Sequence, residues 1–361
     1  MTLSVGIMGL PNSGKSTLFN AITHAHAPTG THAFSTTDRN IASVNVPDAR
    51  LDKLAEMFDP KKVTPTTVEF VDIPGVVRGS SEGAGLGNKF LGYLRQSDVL
   101  AEVVRCFDDD NVPHPDGSID PIRDMETVRL ELVLADLAVV QRRMERTRSA
   151  AKSGDKKYVA ELQVLEEVAA RFNEGVPVRD MGLTNEQQEH LSELDLLTSK
   201  PVFYVANVNE GSGPDDPRAL ALRDAAGGAE VIAVSAKIEA ELSEMDPEDA
   251  KVFAEELGIK ESTLDQVIRT GYRLLDLITF LTAGEPEVRA WTVRKGAKAP
   301  EAAGKIHSDI ERGFIRAEVT PYPELVASGS FATARTKGVL RLEGREYVVQ
   351  DGDVIYFRFS V

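Results

Sequence analysis

Cysteine is nearly absent from this 361-residue sequence, in which the single thiol is Cys106. One cysteine cannot form an intramolecular disulfide, so a disulfide-stabilised secreted scaffold is excluded and a reducing compartment is expected. Long apolar runs are lacking too, and no stretch approaches the ~20 residues of a membrane-spanning helix. The apolar stretch 3–8 follows the first Met without a basic start, which predicts no signal peptide. These absences favour a cytoplasmic protein with no membrane partner.

Basic residues are also relatively few. The sequence has 57 acidic residues against 41 Lys and Arg, which gives a net charge of −16. This balance argues against indiscriminate coating of nucleic acid, which depends on neutralising phosphates. One local exception is the stretch QRRMERTRSAAKSGDKK at 141–157, with seven basic residues against two acids. It is either a solvated hairpin tip or a contact for a polyanion, and the residues alone leave both interpretations open.

The order of elements predicts an α/β domain with a mostly parallel sheet, interrupted by a helical arm. Strands are predicted at 3–8, 41–46, 68–72 and 99–107. From about residue 125, apolar residues recur at spacings of three and four on both sides of a polar break at 153–155, which predicts an antiparallel helical hairpin with arms of roughly 30–40 Å. The first stripe is Leu130, Val133, Leu137, Val140 and Met144, and the second is Tyr158, Leu162, Leu165, Ala169 and Phe172.

The α/β pattern resumes after the arm and gives way to a small C-terminal module. A capping box at Thr184–Gln187 opens a helix, strands are predicted at 201–207 and 230–234, and helices at 216–226 and 262–278. Further on we predict strands at 288–293 and 314–319, a helix at 303–311, and a hairpin turning at Asp351-Gly352 with Ile355, Phe357, Phe359 and Val361 facing inward. The predicted domains are an α/β domain (1–124 and 200–278), the inserted arm (125–199) and the C-terminal module (279–361).

The motif GLPNSGKS, residues 9–16, follows an apolar strand and precedes a good helix start. It matches the phosphate-binding loop G-x-x-x-x-G-K-[ST]. In such a loop, successive backbone N–H groups wrap a phosphate at a helix N-terminus. Lys15 neutralises β- and γ-phosphate oxygens there, and the Ser16 hydroxyl holds Mg²⁺.

A second motif, Asp72-Ile-Pro-Gly75, ends an apolar strand about 55 residues after the phosphate loop. At this spacing it is typical of switch nucleotidases, with Asp72 in the Mg²⁺ shell and the Gly75 N–H near the γ-phosphate. Between the two motifs lies AFSTTDRN. Either Thr36 or Thr37 could close on Mg²⁺ and the γ-phosphate, or neither has such a role.

The stretch VFYVANVNEG, 202–211, stands where a GTP switch would end a strand on Asn-Lys-x-Asp. Here Val208 replaces the Lys that covers the base, and Glu210 replaces the Asp that accepts from N1–H and N2–H₂ of guanine. Because Glu is longer by one methylene, a contact tuned for Asp is displaced. The motif therefore argues against guanine and permits adenine. Ser235-Ala236-Lys237 fits the loop that closes over the base.

The residue after Gly75 is Val76, whereas switch GTPases often place Gln there to orient the attacking water. Slow intrinsic hydrolysis is expected unless another group acts. His114, in DDDNVPHPDG, could position water as a neutral imidazole, or it is a solvent-exposed loop histidine.

Taken together, these residues resemble the YchF / Obg-like ATPase family, a branch of the Obg-related P-loop proteins. The matching segments run through nearly the whole chain: GLPNSGKSTLFNA, EFVDIPGVVRGSSEGAGLGNKFL, VVRCFDDDNVPH, ANVNE and EVRAWTVRKGAKAPEAAGKIHSDIERGFIRAEV. The resemblance implies a P-loop domain, an inserted coiled-coil arm and a C-terminal TGS domain with a β-grasp fold. Ser35 stands where some relatives carry Cys, so thiol regulation at that site is not expected.

Carried to matching positions, the resemblance implies roles for a defined set of residues. Catalytic roles fall on Lys15 and His114, and Mg²⁺ ligation on Ser16, Thr36 and Asp72. Nucleotide contacts fall on Asn12, Ser13, Gly14, Lys15, Ser16, Thr17, Gly75, Asn207, Val208, Glu210 and Ala236.

The sequence therefore predicts a Mg²⁺-dependent ATPase of low intrinsic rate that associates with the ribosome or ribosomal RNA through the arm tip and the TGS domain. The family resemblance implies the preference for ATP and the ribosome. A monomer is expected, with K⁺ as a further candidate cofactor. The alternatives are a GTP-dependent ribosome-assembly factor of the Obg type and a binding protein gated by ATP without turnover. A small-molecule kinase is disfavoured because nothing resembles a substrate lid.

Overall fold

The computed structural model describes residues 3–26, 34–36, 39–75, 79, 86–152, 154–256 and 262–360. Contacts divide the chain into two units, the first comprising residues 1–44 and 69–267 and the second 45–68 and 268–361. Among the described residues, no helix has the length and apolar character needed to cross a membrane.

Strands and helices alternate in the first unit, and the second unit mixes both. In chain order the strands are β1 (Ser4–Met8), β2 (Phe34–Thr36), β3 (Arg39–Asn45), β4 (Val63–Thr64), β5 (Thr67–Asp72), β6 (Val99–Arg105), β7 (Val202–Asn207), β8 (Val231–Val234), β9 (Leu277–Ala283), β10 (Val288–Arg294), β11 (Phe314–Pro321), β12 (Arg341–Glu343) and β13 (Asp353–Phe359). The α-helices are α1 (Lys15–His26), α2 (Ala49–Phe58), α3 (Leu86–Gln96), α4 (Pro121–Ala151), α5 (Lys156–Asn173), α6 (Asn185–Leu191), α7 (Pro217–Ala225), α8 (Ala236–Glu244), α9 (Pro247–Glu256), α10 (Thr263–Leu274), α11 (Ala299–Ile306), α12 (Ser308–Arg312), α13 (Tyr322–Ser328) and α14 (Phe331–Thr336). Short 3-10 helices lie at Val178–Asp180, Ser192–Leu194 and Leu197–Ser199.

The first unit is built on a seven-stranded sheet in the order β2-β3-β5-β1-β6-β7-β8. The run from β5 through β1, β6 and β7 to β8 is parallel, while β2 and β3 are antiparallel. Every residue of β1, β6 and β7 is buried, which fits strands covered by helices on both faces. The predicted mostly parallel sheet of a P-loop domain is confirmed, and the carboxyl ends of β1, β6 and β7 meet at one edge.

The helical arm consists of α4 and α5, joined by a short turn at the predicted break. Val133, Val140 and Leu165 belong to the core between them, together with Phe172. The amino-terminal half of α4 behaves differently, because Met125, Val128, Leu132 and Ala135 pack into the core of the sheet. Leu130, predicted in the arm stripe, is 50% exposed. The other four residues of that stripe lie in the arm core, whereas the face of α4 that packs against the sheet was not predicted.

The second unit contains a six-stranded mixed sheet in the order β12-β11-β13-β9-β10-β4. Strand β13 pairs parallel with β9 and antiparallel with β11. Helix α11 packs its alanines, Ala299, Ala302 and Ala303, against aromatic residues of this sheet such as Phe280 and Phe357. This mixed sheet, with α11 packed against it, is the predicted β-grasp fold.

Several sequence predictions for the second unit are wrong in detail. Residues 345–350 form no strand, so the hairpin at Asp351-Gly352 is absent and β13 pairs instead with two distant strands. Phe359 is 45% exposed rather than inward-facing, and Val361 lies outside the described residues. The helix predicted to reach 278 ends at Leu274, and the helix predicted at 303–311 is two helices, α11 and α12.

The division of the chain also differs from the predicted boundaries. Residues 45–68 belong to the second unit, although the sequence analysis kept them in the nucleotide-binding domain. The reason is packing: α2 buries Leu51 and Leu54 against Leu281 and Val288, and β4 pairs with β10. Such contacts join residues more than 200 positions apart, so periodicity alone cannot reveal them.

Candidate functional site

The phosphate-binding loop connects the end of β1 with the start of α1. Gly9 and Gly14 have φ angles of 144° and 97°, which side chains rarely allow. A Cβ on Gly9 would lie 2.3 Å from the Val103 carbonyl oxygen, and one on Gly14 would lie 2.1 Å from the Asn207 amide nitrogen. The two glycines are therefore required by close backbone approach as well as by conformation.

Lys15 lies on the loop with its side chain folded back over the backbone. The residue is 7% exposed, and its Nζ donates a 2.6 Å hydrogen bond to the carbonyl of Leu10. Burial lowers the pKa of Lys15 to about 8, and the nearby Asp72 carboxylate offsets part of that effect. A cation with so few partners, held beside a loop of backbone N–H groups, is suited to a polyphosphate.

Ser16 and Asp72 meet where α1 begins and β5 ends. The Ser16 hydroxyl donates to Asp72 Oδ2 at 2.9 Å, while Asp72 Oδ1 is buried and has no hydrogen-bond partner among the described residues. A hydroxyl and an unsatisfied carboxylate oxygen are the hard ligands that Mg²⁺ prefers. These residues therefore fit the predicted ion. The side chains of Thr36 and Thr37 lie outside the described residues.

Gly75 follows Asp72 and lies directly against the phosphate-binding loop. A Cβ on Gly75 would be 3.0 Å from the backbone nitrogen of Pro11. The second motif is thus brought next to the first, as the sequence predicted. Val76, whose lack of a polar group predicted slow hydrolysis, lies outside the described residues.

His114 is buried beside the phosphate-binding loop, which corrects the alternative of an exposed loop histidine. Its side chain is 4% exposed, and its Nε2 lies 2.7 Å from Asp124 Oδ2. Because the Asp116 N–H donates to Nδ1 at 3.0 Å, Nε2 carries the proton and donates to Asp124. Both ring nitrogens are therefore engaged. The preceding carbonyl, of Pro113, accepts a bond from the Asn12 side chain at 2.9 Å.

Glu102, a buried acid on β6, lies in the same region. It lines a small cavity of about 10 Å³ with His114, Asp124 and Ser13. Burial raises the pKa of Glu102 to about 8, against a partial opposing effect of Arg179. The group is therefore largely neutral near pH 7, and the cavity is about the size of one water molecule.

A cleft of about 460 Å³ opens from Gly14 and Thr17 towards the carboxyl ends of β6, β7 and β8. It is lined by the loop 107–112, by residues 207–210 and by residues 235–237. This is the predicted position of the base, and the volume suits a small-molecule ligand. A larger cleft, of about 550 Å³, lies near the base of the arm, but no phosphate-binding loop contributes to it.

Asn207 joins the two ends of the cleft rather than offering its side chain to a base. Its Nδ2 donates to the Ser13 carbonyl at 3.0 Å, and its Oδ1 accepts from the Ala236 N–H at 3.1 Å. Val208 is buried, and its N–H donates to Val234. The predicted nucleotide residues Asn207, Val208 and Ala236 are thus brought together, with the Asn207 amide acting as a brace.

Glu210 lies at the mouth of the cleft, where it forms an ion pair with Lys237. Both side chains are at least half exposed. A carboxylate in this pair can accept from a guanine only by exchanging its present partner.

Arg105, at the end of β6, was missed by the sequence analysis. Its side chain is buried and organises the loop 107–112 that lines the cleft. The available signal was a basic residue at the end of the strand VLAEVVR, whose only other charged residue is Glu102, next to the cleft-lining segment.

The basic tip of the arm is partly neutralised by acids of the arm itself. Arg143 pairs with the buried Glu161 and Arg148 with Glu166. Arg142 and Arg146 are exposed, and within the described part of the chain neither has an ion pair. A polyanion would thus meet Arg142, Arg146, Lys152, Lys156 and Lys157 rather than all seven basic residues.

Two family models match the chain. The model described as "50S ribosome-binding GTPase" covers residues 4–152. The model YchF-GTPase_C, described as "Protein of unknown function (DUF933)", covers residues 277–360. The two matches fall on the P-loop sheet with its arm and on the β-grasp sheet.

Curated relatives align along the full length. "Ribosome-binding ATPase YchF" of Bacillus subtilis (strain 168) is 54% identical over 366 residues, covering 100% of both chains. "Obg-like ATPase 1" of Oryza sativa subsp. japonica is 41% identical, covering 99% of this chain and 92% of the relative. The solved "Structure of the Schizosaccharomyces pombe YchF GTPase" is 35% identical, with a TM-score of 0.87 and coverage of 99% and 98%. Since identity and fold extend from end to end, this chain belongs to the YchF family.

Proposed function

We propose that this chain binds ATP with Mg²⁺, hydrolyses it slowly and associates with the ribosome. The nucleotide part of the proposal rests on one observation. The cleft at Asn207 begins at the phosphate-binding loop, which also holds Lys15 and Ser16, the partner of Asp72. The ribosome part of the proposal rests on relatives that are named ribosome-binding ATPases and that align with this chain along their whole length.

In this proposal the loop N–H groups and the Lys15 ammonium bind the phosphates. Ser16 and Asp72, with Thr36 as a further candidate, would hold Mg²⁺, which neutralises phosphate charge. The cleft beyond Thr17 holds the base. Removing Mg²⁺ with a chelator should abolish turnover, and replacing K⁺ by Na⁺ tests the monovalent-cation dependence.

Slow hydrolysis follows from the state of His114. Its ring donates to Asp124 and accepts from the Asp116 N–H, so it cannot orient a water until one of these bonds breaks. His114→Ala should therefore lower kcat while leaving the ATP dissociation constant unchanged. Equal kcat values for His114→Ala and the unaltered protein would show that His114 takes no part in hydrolysis.

The first experiment is calorimetric titration of nucleotide-free protein with ATP and, separately, GTP, both with Mg²⁺. We expect tighter ATP binding, because Glu210 is paired with Lys237 and because Val208, which lines the cleft, lacks the Lys stem that covers guanine. Tighter GTP binding would instead support a GTP-dependent factor of the Obg type. ATP binding without measurable turnover would support an ATP-gated binding protein.

Ribosome binding is tested by co-sedimentation of a charge-reversed arm tip. Arg142→Glu with Arg146→Glu changes two exposed residues on α4 that lack ion pairs within the described chain, and avoids Arg143, whose partner Glu161 is buried. Arg171→Glu with Arg223→Glu is the control of equal charge change, on α5 and α7, and it also breaks the exposed Arg171–Glu174 ion pair. We expect only the tip variant to lose binding and salt dependence. Equal co-sedimentation of the two variants would show that the tip does not contact the ribosome, and the β-grasp domain would then be tested in the same way.

A further inference from the structure

The loop 107–112 forms one wall of the nucleotide cleft without belonging to a helix or strand. Its backbone carbonyls therefore have no ladder to satisfy them. Three of them accept hydrogen bonds from one side chain, Arg105. The distances are 3.2 Å from Nε to Phe107 O, 2.8 Å from Nη1 to Val112 O and 3.2 Å from Nη2 to Asp109 O.

Arg105 is itself rigidly placed. It ends β6, which is paired on both sides, and the residue is 3% exposed. The guanidinium also lies 4.4 Å from the ring centroid of Phe107, over the ring. A planar fork with five donors can hold three carbonyls and a ring at once, whereas a Lys ammonium on a flexible stem cannot.

We propose that Arg105 is a positioning residue that fixes the base-side wall of the cleft and thereby sets the affinity for the nucleoside part of ATP. The inference rests on the proposed ATP binding. At the phosphate end, the Lys15 ammonium and the Ser13 carbonyl are held by Leu10 and Asn207 rather than by this fork. Arg105 should therefore affect ATP far more than a ligand made only of phosphates.

The test compares ATP with tripolyphosphate, both with Mg²⁺, by calorimetry on the full chain. Arg105→Lys keeps the charge and loses the fork. We expect the ATP dissociation constant to rise about tenfold, or ~1.4 kcal/mol, and that of tripolyphosphate to stay within about twofold. Equal weakening of both ligands would overturn the proposal in favour of a general structural role.

Arg95→Lys is the matched control. Arg95 is a partly buried arginine that bonds to Asp136 at 3.0 Å and to the Asp195 carbonyl at 2.7 Å, and it does not line the cleft. This variant should lose stability, measured by thermal unfolding, without losing affinity for ATP. An Arg95→Lys effect on ATP as large as that of Arg105→Lys would overturn the proposal.

Arg218→Ala is a second variant, which tests the same loop if an Arg105 variant does not fold. Arg218 is a third exposed and anchors the same loop from outside, through Asp108 and the Cys106 carbonyl. Its loss should raise the ATP dissociation constant about threefold and spare tripolyphosphate. An unchanged ATP affinity in Arg218→Ala would overturn the link between this loop and the base. If the unaltered protein bound tripolyphosphate but no ATP, both this inference and the proposed function would fall.

Discussion

The two ends of the nucleotide cleft are built in different ways. At the phosphate end, Lys15 and Asp72 are less than a tenth exposed, and glycines at 9 and 14 admit close backbone contacts. At the base end, the Glu210–Lys237 pair is at least half exposed. Burial strengthens electrostatic interactions, and exposure screens them. The phosphate end should therefore dominate affinity, while the base end tunes specificity.

The largest expected effect comes from removing the buried cation. Lys15→Ala should raise the ATP dissociation constant about 100-fold or more, because truncating one partner of a desolvated charge pair costs about 2–5 kcal/mol. Lys237→Ala removes an exposed cation at the other end of the same cleft and should change the constant only about threefold. Calorimetric titration measures both. Comparable losses in the two variants would contradict the contrast between the ends.

Asn207→Ala tests the brace that joins the two ends. It removes the bonds to Ser13 O and Ala236 N, which together are worth about 2 kcal/mol, or about thirtyfold in ATP affinity. Asn209→Ala removes exposed bonds to Asp108 and serves as the control, with an expected change below about threefold. If the two variants weakened ATP equally, Asn207 would not be a brace.

The pH dependence of ATP binding tests the state of Lys15. Its pKa is about 8 without ligand, and bound phosphates favour the charged form, so binding takes up a proton above pH 8. The ATP dissociation constant should therefore rise as the pH passes from about 7 to about 9, by about tenfold. Isothermal titration at several pH values gives the slope. Lys237→Ala should keep this slope, and a flat profile in the unaltered protein would contradict a lowered pKa.

The smallest effect is expected at the base end. Glu210→Gln breaks an exposed ion pair with Lys237 and should change ATP affinity by no more than about threefold. Glu210→Asp restores the shorter acid of a guanine-reading motif, yet Val208 remains where such a motif has Lys. ATP should therefore still bind more tightly than GTP in both variants. A switch to GTP in Glu210→Asp would make residue 210 alone the determinant of base choice.

The phosphate end could be predicted from sequence because its geometry is local. Gly9, Gly14 and Lys15 are fixed relative to one another by a few backbone angles between a strand and a helix. Asp72 needed only one long-range step, the pairing of β1 with β5. For the same reason the capping box at Thr184 and Gln187 was predicted correctly.

The base end could be predicted only by position. Residue type alone did not reveal that both side-chain amide atoms of Asn207 form hydrogen bonds with backbone groups. Nor did it reveal that Arg105 holds the loop 107–112 that lines the cleft. An exposed loop position was one interpretation of His114, because no neighbouring residue in the sequence indicates its pairing with Asp124, ten residues away on α4. Each of these contacts exists only when separate elements come together.

The phosphate-binding loop, the alternating strands and helices of the first unit, the helical arm and the family could all be inferred from the sequence. These follow from short-range backbone chemistry and from apolar periodicity, which act within a few residues. Three further features emerge only in the folded chain: residues 45–68 join the second unit, β13 lies between β9 and β11, and His114 is held by Asp124. Those outcomes depend on burial and hydrogen bonding between segments far apart in the chain, and no local pattern encodes which distant partner will satisfy a given group.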